Sequence, residues 1–300
     1  MTVLPQQQER QFEVVKGKRL FSSASRSTKR SFSLYQLAMI VLCLLWILPL
    51  VWIFSLSLTP NEALKVSSQH ILPQGLTLKN YADVLNTSLT MKWFMNSAIV
   101  TVITTVLTVF VCATAGYAFS KLQFPGRLLV YALTLAGMMV PKEAMFIPLF
   151  MMFADVDMHN TYAALIIPRV AFPLGVFIMT QFFSQVPREL EEAARVDGAS
   201  QWKVFYSVML PMAVPSMIAL ATFTFVQSWN DYLWPLVSAT KPEMFTITTG
   251  LASMQGNFAQ ATELGSLMAR GVLGSLPLLI VFLLLQKYLI RGISMSSGGK

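Results

Sequence analysis

The sequence predicts an all-α, polytopic integral membrane protein with six transmembrane helices. Three observations carry that prediction. The 300-residue chain is 55% hydrophobic and only 12% charged, about half the charged fraction of a soluble domain. Its apolar residues gather into six runs, each near the ~20 residues that a helical span needs. The basic residues between those runs fall unevenly on alternate sides, as the positive-inside rule requires of short loops.

The six runs cover residues 34–58, 94–119, 128–153, 162–183, 204–229 and 264–290. The first is about twice the length of a signal-peptide core and no small-residue cleavage pattern follows it, so it reads as a retained helix. The third, fourth and fifth contain Pro141, Pro148, Pro168, Pro173 and Pro215, which predict kinks that packed membrane helices tolerate. Placing the N-terminus inside puts 15 of the 22 basic residues in the cytoplasm. Seven of these lie in the N-terminal tail, and Lys121, Arg127, Arg188, Arg195, Lys203, Lys287, Arg291 and Lys300 complete the set. Lys65, Lys79, Lys92 and Lys241 fall on the other side, which predicts that both termini are cytoplasmic. The chain thus divides into a basic tail (1–33), a six-helix membrane domain (34–292) holding a charged loop at 185–206, and a short cytoplasmic tail (293–300). The stretches 59–92 and 230–262 are the long outside loops, and the first is expected to form a small extended cap.

Several function classes drop out. The net charge of +8 sits largely in the tail, and no interleaved basic and aromatic residues suggest a nucleic-acid partner. Lipid is the surrounding implied instead. Cys43, Cys112, His70 and His159 show no metal or disulfide spacing. No Ser/His/Asp or paired-carboxylate constellation marks catalytic residues. No G-x-x-x-x-G-K-S/T element is present to cradle nucleotide phosphates.

The loop between the fourth and fifth spans reads PRELEEAARVDGASQWKVFYSVMLP over residues 187–211 and carries seven charged side chains. Pro187 suits a first helical position. Glu189, Glu191 and Glu192 then fall at the positive end of the helix dipole and Arg195 at the negative end. Arg188–Glu192 and Glu191–Arg195 are spaced for i,i+4 pairing. Gly198 suits the left-handed stop, and Ser200 is placed to cap a second helix running into the membrane. Leu190, Ala193, Ala194 and Asp197 share one low-relief face of the first helix. Local physics leaves two readings of that face: packing on the chain's own membrane domain, or docking of a partner.

The stretch from Glu192 to Pro211 resembles the EAA loop of permease subunits in binding-protein-dependent ATP-binding-cassette (ABC) importers. Its elements are Glu192, Ala193 and Ala194, then Gly198, then Val208 (where isoleucine is frequent), then Leu210 and Pro211. AGYAFSKLQFPGR (115–127), SWNDYLWPLV and LPLLIVFLLLQKYLIRGIS are similar to stretches of the carbohydrate branch, nearest the maltose permease G-subunit type. The resemblance implies the type I importer permease (MetI-like) fold. It implies a second, non-identical permease subunit, two ATPase subunits that hold the ATP and magnesium, and an extracytoplasmic solute-binding protein. The setting is a bacterial or archaeal cytoplasmic membrane. No cofactor is expected on this chain. Glu192, Ala193, Ala194, Asp197, Gly198, Val208, Leu210 and Pro211 become the expected ATPase-coupling residues. Gln255, Gly256 and Asn257 become the expected tip of a loop that contacts the binding protein.

Among ionisable residues within the spans, Arg169 is placed to line a translocation path. Lys142, Glu143, Asp231, Glu263 and Arg270 read as interfacial or interhelically paired. In the maltose system most sugar contacts lie on the partner permease. The competing readings are an ion-gradient-driven secondary transporter, which would call for paired broken helices and midplane ionisable residues, and an ABC permease for a non-sugar solute.

Overall fold

The computed structural model describes residues 34–66, 72–255 and 263–297, and every regular element among them is helical. In order these are α1 (Leu34–Ser57), α2 (Asn61–Val66), α3 (Lys79–Asn86), α4 (Ser88–Lys121), α5 (Arg127–Ala136), α6 (Phe146–Asp155), α7 (Tyr162–Val170) and α8 (Pro173–Gln185). They continue with α9 (Glu189–Val196), α10 (Gln201–Val204), α11 (Leu210–Trp229), α12 (Leu233–Ser238), α13 (Ile247–Gln255) and α14 (Leu264–Ser297). Four helices are long and apolar enough to cross a membrane unaided: Leu34–Ser57, Leu89–Lys121, Gln201–Trp229 and Leu264–Gln286. The predicted third and fourth spans are bent pairs, and counting each as one span gives six.

Those two bends are sharper than kinks. The third span breaks by 97° between Met139 and Lys142, the fourth by 45° between Val170 and Pro173. Proline causes both, because it disfavours helical geometry in the residue before it. Val140, before Pro141, is extended (φ −81°, ψ 118°). Phe172, before Pro173, has φ −125° and ψ 88°. Pro173 then opens α8, where its missing N–H costs nothing. Pro168 and Pro215, also expected to kink, lie within continuous α7 and α11. In the fifth span the irregularity comes earlier. A π-helical turn, Phe205–Met209, joins α10 to α11 just ahead of Pro211, which has no N–H to offer the ladder.

The long helix α4 is the spine of the bundle, 34 residues or about 50 Å, and it packs on α7, α8 and α11. Small residues let these backbones meet, the usual solution where lipid offers no hydrophobic drive. A Cβ at Gly116 of α4 would stand 2.6 Å from Met179 Cβ of α8, and one at Gly175 would stand 2.7 Å from Cys112 Sγ. Around that crossing Cys112, Ala113, Tyr117, Met179, Phe183, Val204, Phe205 and Met209 form the main apolar core. By contrast, α1 buries none of its apolar window against the described residues.

The stretch 59–92 is not an extended cap. It forms α2 and α3 and includes the first turn of α4, because Asn80 is buried and its Nδ2 donates to Ser57 O and Thr59 O, both at 2.9 Å. After α11 the chain turns back as α12, and buried Trp234 donates from Nε1 to Ala164 O of α7 at 2.8 Å. That return carries Asp231 to the break between α7 and α8.

Candidate functional site

The charged loop folds as two helices joined by a tight stop. Helix α9 begins at Glu189, two residues after Pro187, with Arg188 as its N-cap. Three acidic residues fill its first turn and Arg195 its last, matching the dipole. Its C-terminus is a Schellman motif: Ala199 N donates to Ala194 O and Gly198 N to Arg195 O, both at 3.0 Å. The motif requires a left-handed residue after the helix, and Gly198 supplies it with φ +79°. Ser200 then accepts from Lys203 N at 3.4 Å through its side chain and starts α10.

What fixes this pair of helices to the bundle is a buried charge network. Glu191 points inward, and its Oε1 lies 3.4 Å from Nζ of Lys121, the last residue of α4. The two side chains are only 7% and 3% exposed. The contact is an ion pair without an aligned hydrogen bond. The shorter bond of Lys121, 2.5 Å, goes to Val186 O at the end of α8. Arg195 approaches the other Glu191 oxygen at 3.8 Å and donates to Gln201 Oε1 at 3.3 Å. Gln201 Nε2 donates to Tyr117 Oη of α4 at 3.3 Å. One lysine therefore ties the loop helix to two membrane helices. Beside it lies a cavity of about 540 Å³ lined by Lys121, Leu122, Gln123, Arg188, Glu191, Glu192, Arg195 and Gln201.

The expected site residues divide into two sets. Glu192, Ala193, Asp197 and Gly198 are exposed on α9 and its turn. Ala194 and Leu210 are half-buried against the main core. Val208 is half-buried in the π-helical turn, and Pro211 is exposed in the first turn of α11. Of the predicted face of Leu190, Ala193, Ala194 and Asp197, Ala194 packs inward at its edge and the other three are exposed. The open surface also carries Val196, 88% exposed, and Trp202, 65% exposed. Of the two predicted i,i+4 pairs, Glu191–Arg195 forms, and Arg188 and Glu192 do not pair.

The sequence reading missed the roles of Lys121, Tyr117 and Gln201. It also took Glu191 for one of three dipole-matching acids. The available signal was positional, because Glu191 stands three residues before Ala194, on the same inward stripe. At the other end, Gln255 closes α13, whereas Gly256 and Asn257 lie outside the described residues. Arg169 is paired with Asp231, at the break between α7 and α8. The sequence reading left Asp231 interfacial or interhelically paired, and the structure shows the pairing, with Arg169 as the partner.

Broken spans around a long central helix, with a loop helix tied to that helix's end, are an arrangement shared with transport permease subunits, and the chain's relatives place it in that class rather than among enzymes. The chain belongs to the family of binding-protein-dependent transport system inner membrane components, whose model matches residues 110–295. It is 34% identical to the arabinooligosaccharides transport system permease protein AraQ of Bacillus subtilis (strain 168), over 88% of this chain and 95% of that one. It is 32% identical to the diacetylchitobiose uptake system permease protein NgcG of Streptomyces coelicolor, over 90% of each chain. It is also 32% identical to the trehalose/maltose transport system permease protein MalG of Thermococcus litoralis, over 85% of this chain and 92% of that one. The fold matches a chain of a bacterial ABC transporter involved in the import of alginate, with a TM-score of 0.75 at 22% identity, over 87% of this chain and 97% of that chain.

Proposed function

We propose that this chain is one of two non-identical permease subunits of a carbohydrate importer, with both termini and the α9 loop in the cytoplasm. Two ATPase subunits dock beneath it and carry the ATP and magnesium. An extracytoplasmic binding protein delivers the solute, and residues 255–257 contact it. The observation that carries this reading is the loop itself: the full spacing from Glu192 to Pro211, folded as a rigid helix pair and held by the buried Lys121–Glu191 contact. Glu192, Ala193 and Asp197 meet the ATPase, Val196 and Trp202 widen that surface, and Gly198 sets the bend. Ala194, Val208 and Leu210 seat the loop on the bundle, and Pro211 closes the motif in the first turn of α11. The 15-to-4 division of basic residues supports the orientation. Relatives named for arabinooligosaccharides, diacetylchitobiose and trehalose/maltose support an oligosaccharide as solute.

The test is reconstitution of the complex with its partner permease, ATPases and binding protein in proteoliposomes. Uptake of the binding protein's sugar is expected to require internal or external ATP on the side bearing the α9 loop. Uptake driven by an ion gradient without ATPase subunits would refute the reading.

A further inference from the structure

Two helix breaks and the end of α11 bring together six side chains that the loop does not use. Lys142, in the break between α5 and α6, donates from Nζ to Gln227 Oε1 of α11 at 3.3 Å. The same Nζ lies 5.8 Å from the centroid of the Phe172 ring, in the break between α7 and α8. Phe172 stacks on Phe223 of α11 at a centroid distance of 5.8 Å and an interplanar angle of 26°. Arg169, the penultimate residue of α7, is paired with Asp231, and its Nε is buried with no hydrogen-bond partner among the described residues. Lys142, Phe223 and Gln227 are exposed, and Arg169, Phe172 and Asp231 are half-buried behind them. The cluster has a floor of ion pair and aromatic ring and an open rim.

Packing alone does not account for this composition. Charge within a membrane domain is costly and is normally neutralised by a near partner. Arg169 and Asp231 neutralise each other. Lys142 adds a positive charge, and no carboxylate lies within ion-pair distance of it among the described residues. An amide and the face of an aromatic ring hold it instead. Broken helices within a membrane domain are one place where transporters make solute contacts, because irregular backbone is tolerated there only where it is buried in protein or lines a cavity.

We propose that Lys142, Arg169, Phe172, Phe223, Gln227 and Asp231 form a solute-contact site on this subunit, and that the solute is hydroxyl-rich. A sugar presents hydroxyls that both donate and accept, and a C–H face that lies flat on a ring. The cluster offers donors in Lys142 and Arg169, an acceptor in Asp231, both in Gln227, and a ring platform in Phe172 and Phe223. An apolar solute would leave the polar groups unpaired, and a small inorganic ion would leave the rings idle. The inference deepens the proposed function and rests on its carbohydrate reading.

The test uses the full reconstituted complex and four labelled probes, each with a binding protein that delivers it: arabinotriose, diacetylchitobiose, trehalose and maltose. If the wild type carries none of them, the carbohydrate reading fails and this inference falls with it. If it carries any of them, Gln227→Leu and Phe223→Ala are compared with it, at exposed positions chosen to spare folding, and uptake is normalised to assembled complex. Each variant is expected to lower uptake about tenfold, the worth of one hydrogen bond or one ring contact, and to change the preference between sugars. Phe223→Trp is expected to restore uptake. Variants that keep both rate and preference would overturn the proposal. A fall in rate shared equally by all sugars, with no rescue by tryptophan, would also overturn it, since a purely structural role behaves that way.

Discussion

Replacing Lys121 with methionine would leave the Glu191 carboxylate buried with its nearest cation gone. Removing one member of a buried pair costs about 3–5 kcal/mol. Arg195 remains 3.8 Å from the other Glu191 oxygen, but its side chain is 49% exposed, so screening limits what it recovers. Val186 O also loses its 2.5 Å donor. The lower end of the range, about 3 kcal/mol, is the expected penalty, and it raises the population of undocked loop about a hundredfold. Hydrogen exchange on the reconstituted complex reads this directly: the amides of α9 and its Schellman turn should exchange about a hundredfold faster. ATP-driven uptake should fall with them. Glu191→Leu alone should do the same. The double variant should recover most of the protection, because replacing a whole buried pair by apolar side chains is often neutral. A cycle in which the two single effects add within about 0.5 kcal/mol would refute the reasoning, since contacting residues are expected to couple more strongly.

Gly198→Val should insert normally yet lose ATP-driven uptake. Nothing lies within 4 Å of a Cβ there, so the penalty comes from the left-handed backbone at φ +79° and amounts to roughly 1–2 kcal/mol. Gly198→Asn should retain uptake, because asparagine tolerates that conformation. Ser200→Ala should cost about 0.5 kcal/mol, the low end for a cap, given its long 3.4 Å bond, and exchange at Lys203 N should rise accordingly. Gly116→Val should lower the unfolding temperature in detergent, because its Cβ would meet Met179 at 2.6 Å and force α4 off α8. Overpacking of this kind costs about 1–3 kcal/mol.

Hydropathy and basic-residue counts made the spans and their number legible, because each depends on local composition. The breaks were only half legible. Five prolines announce kinks equally, yet only Pro141 and Pro173 mark breaks, while Pro148, Pro168 and Pro215 sit in continuous helix. What decides is whether neighbouring helices support the freed backbone, which is a tertiary matter. The loop was legible in its caps, its bend and its motif. Its anchor was not. Lys121 lies 70 residues before Glu191 in the sequence and reads as one more basic loop residue until the fold brings the two to 3.4 Å. The same holds for Arg169 and Asp231, 62 positions apart and now paired.

Two elements join the proposed docking loop to the proposed solute site: the continuous run from α10 into α11, which carries Phe223 and Gln227, and helix α8. Helix α8 has 13 residues and is about 20 Å long. One end meets Lys121 through Val186 O, so it is fastened to the loop helix by the same lysine that holds Glu191. The other end begins at Pro173, beside Phe172 and one turn from Arg169. A packed helix moves as a unit, and α8 cannot slide freely, because Gly116 and Gly175 seat it closely on α4. It can tilt at the 45° break, where the backbone ladder with α7 is already interrupted. On the proposed docking of an ATPase at α9, a displacement of α9 is expected to reach the Arg169–Phe172 cluster as a tilt of α8 and to change the Phe172–Phe223 stack. Cutting the Lys121–Val186 bond should weaken this link even where the loop stays docked. That separates Lys121 from Glu191 in effect: in the double variant the loop returns, but the tie to α8 does not.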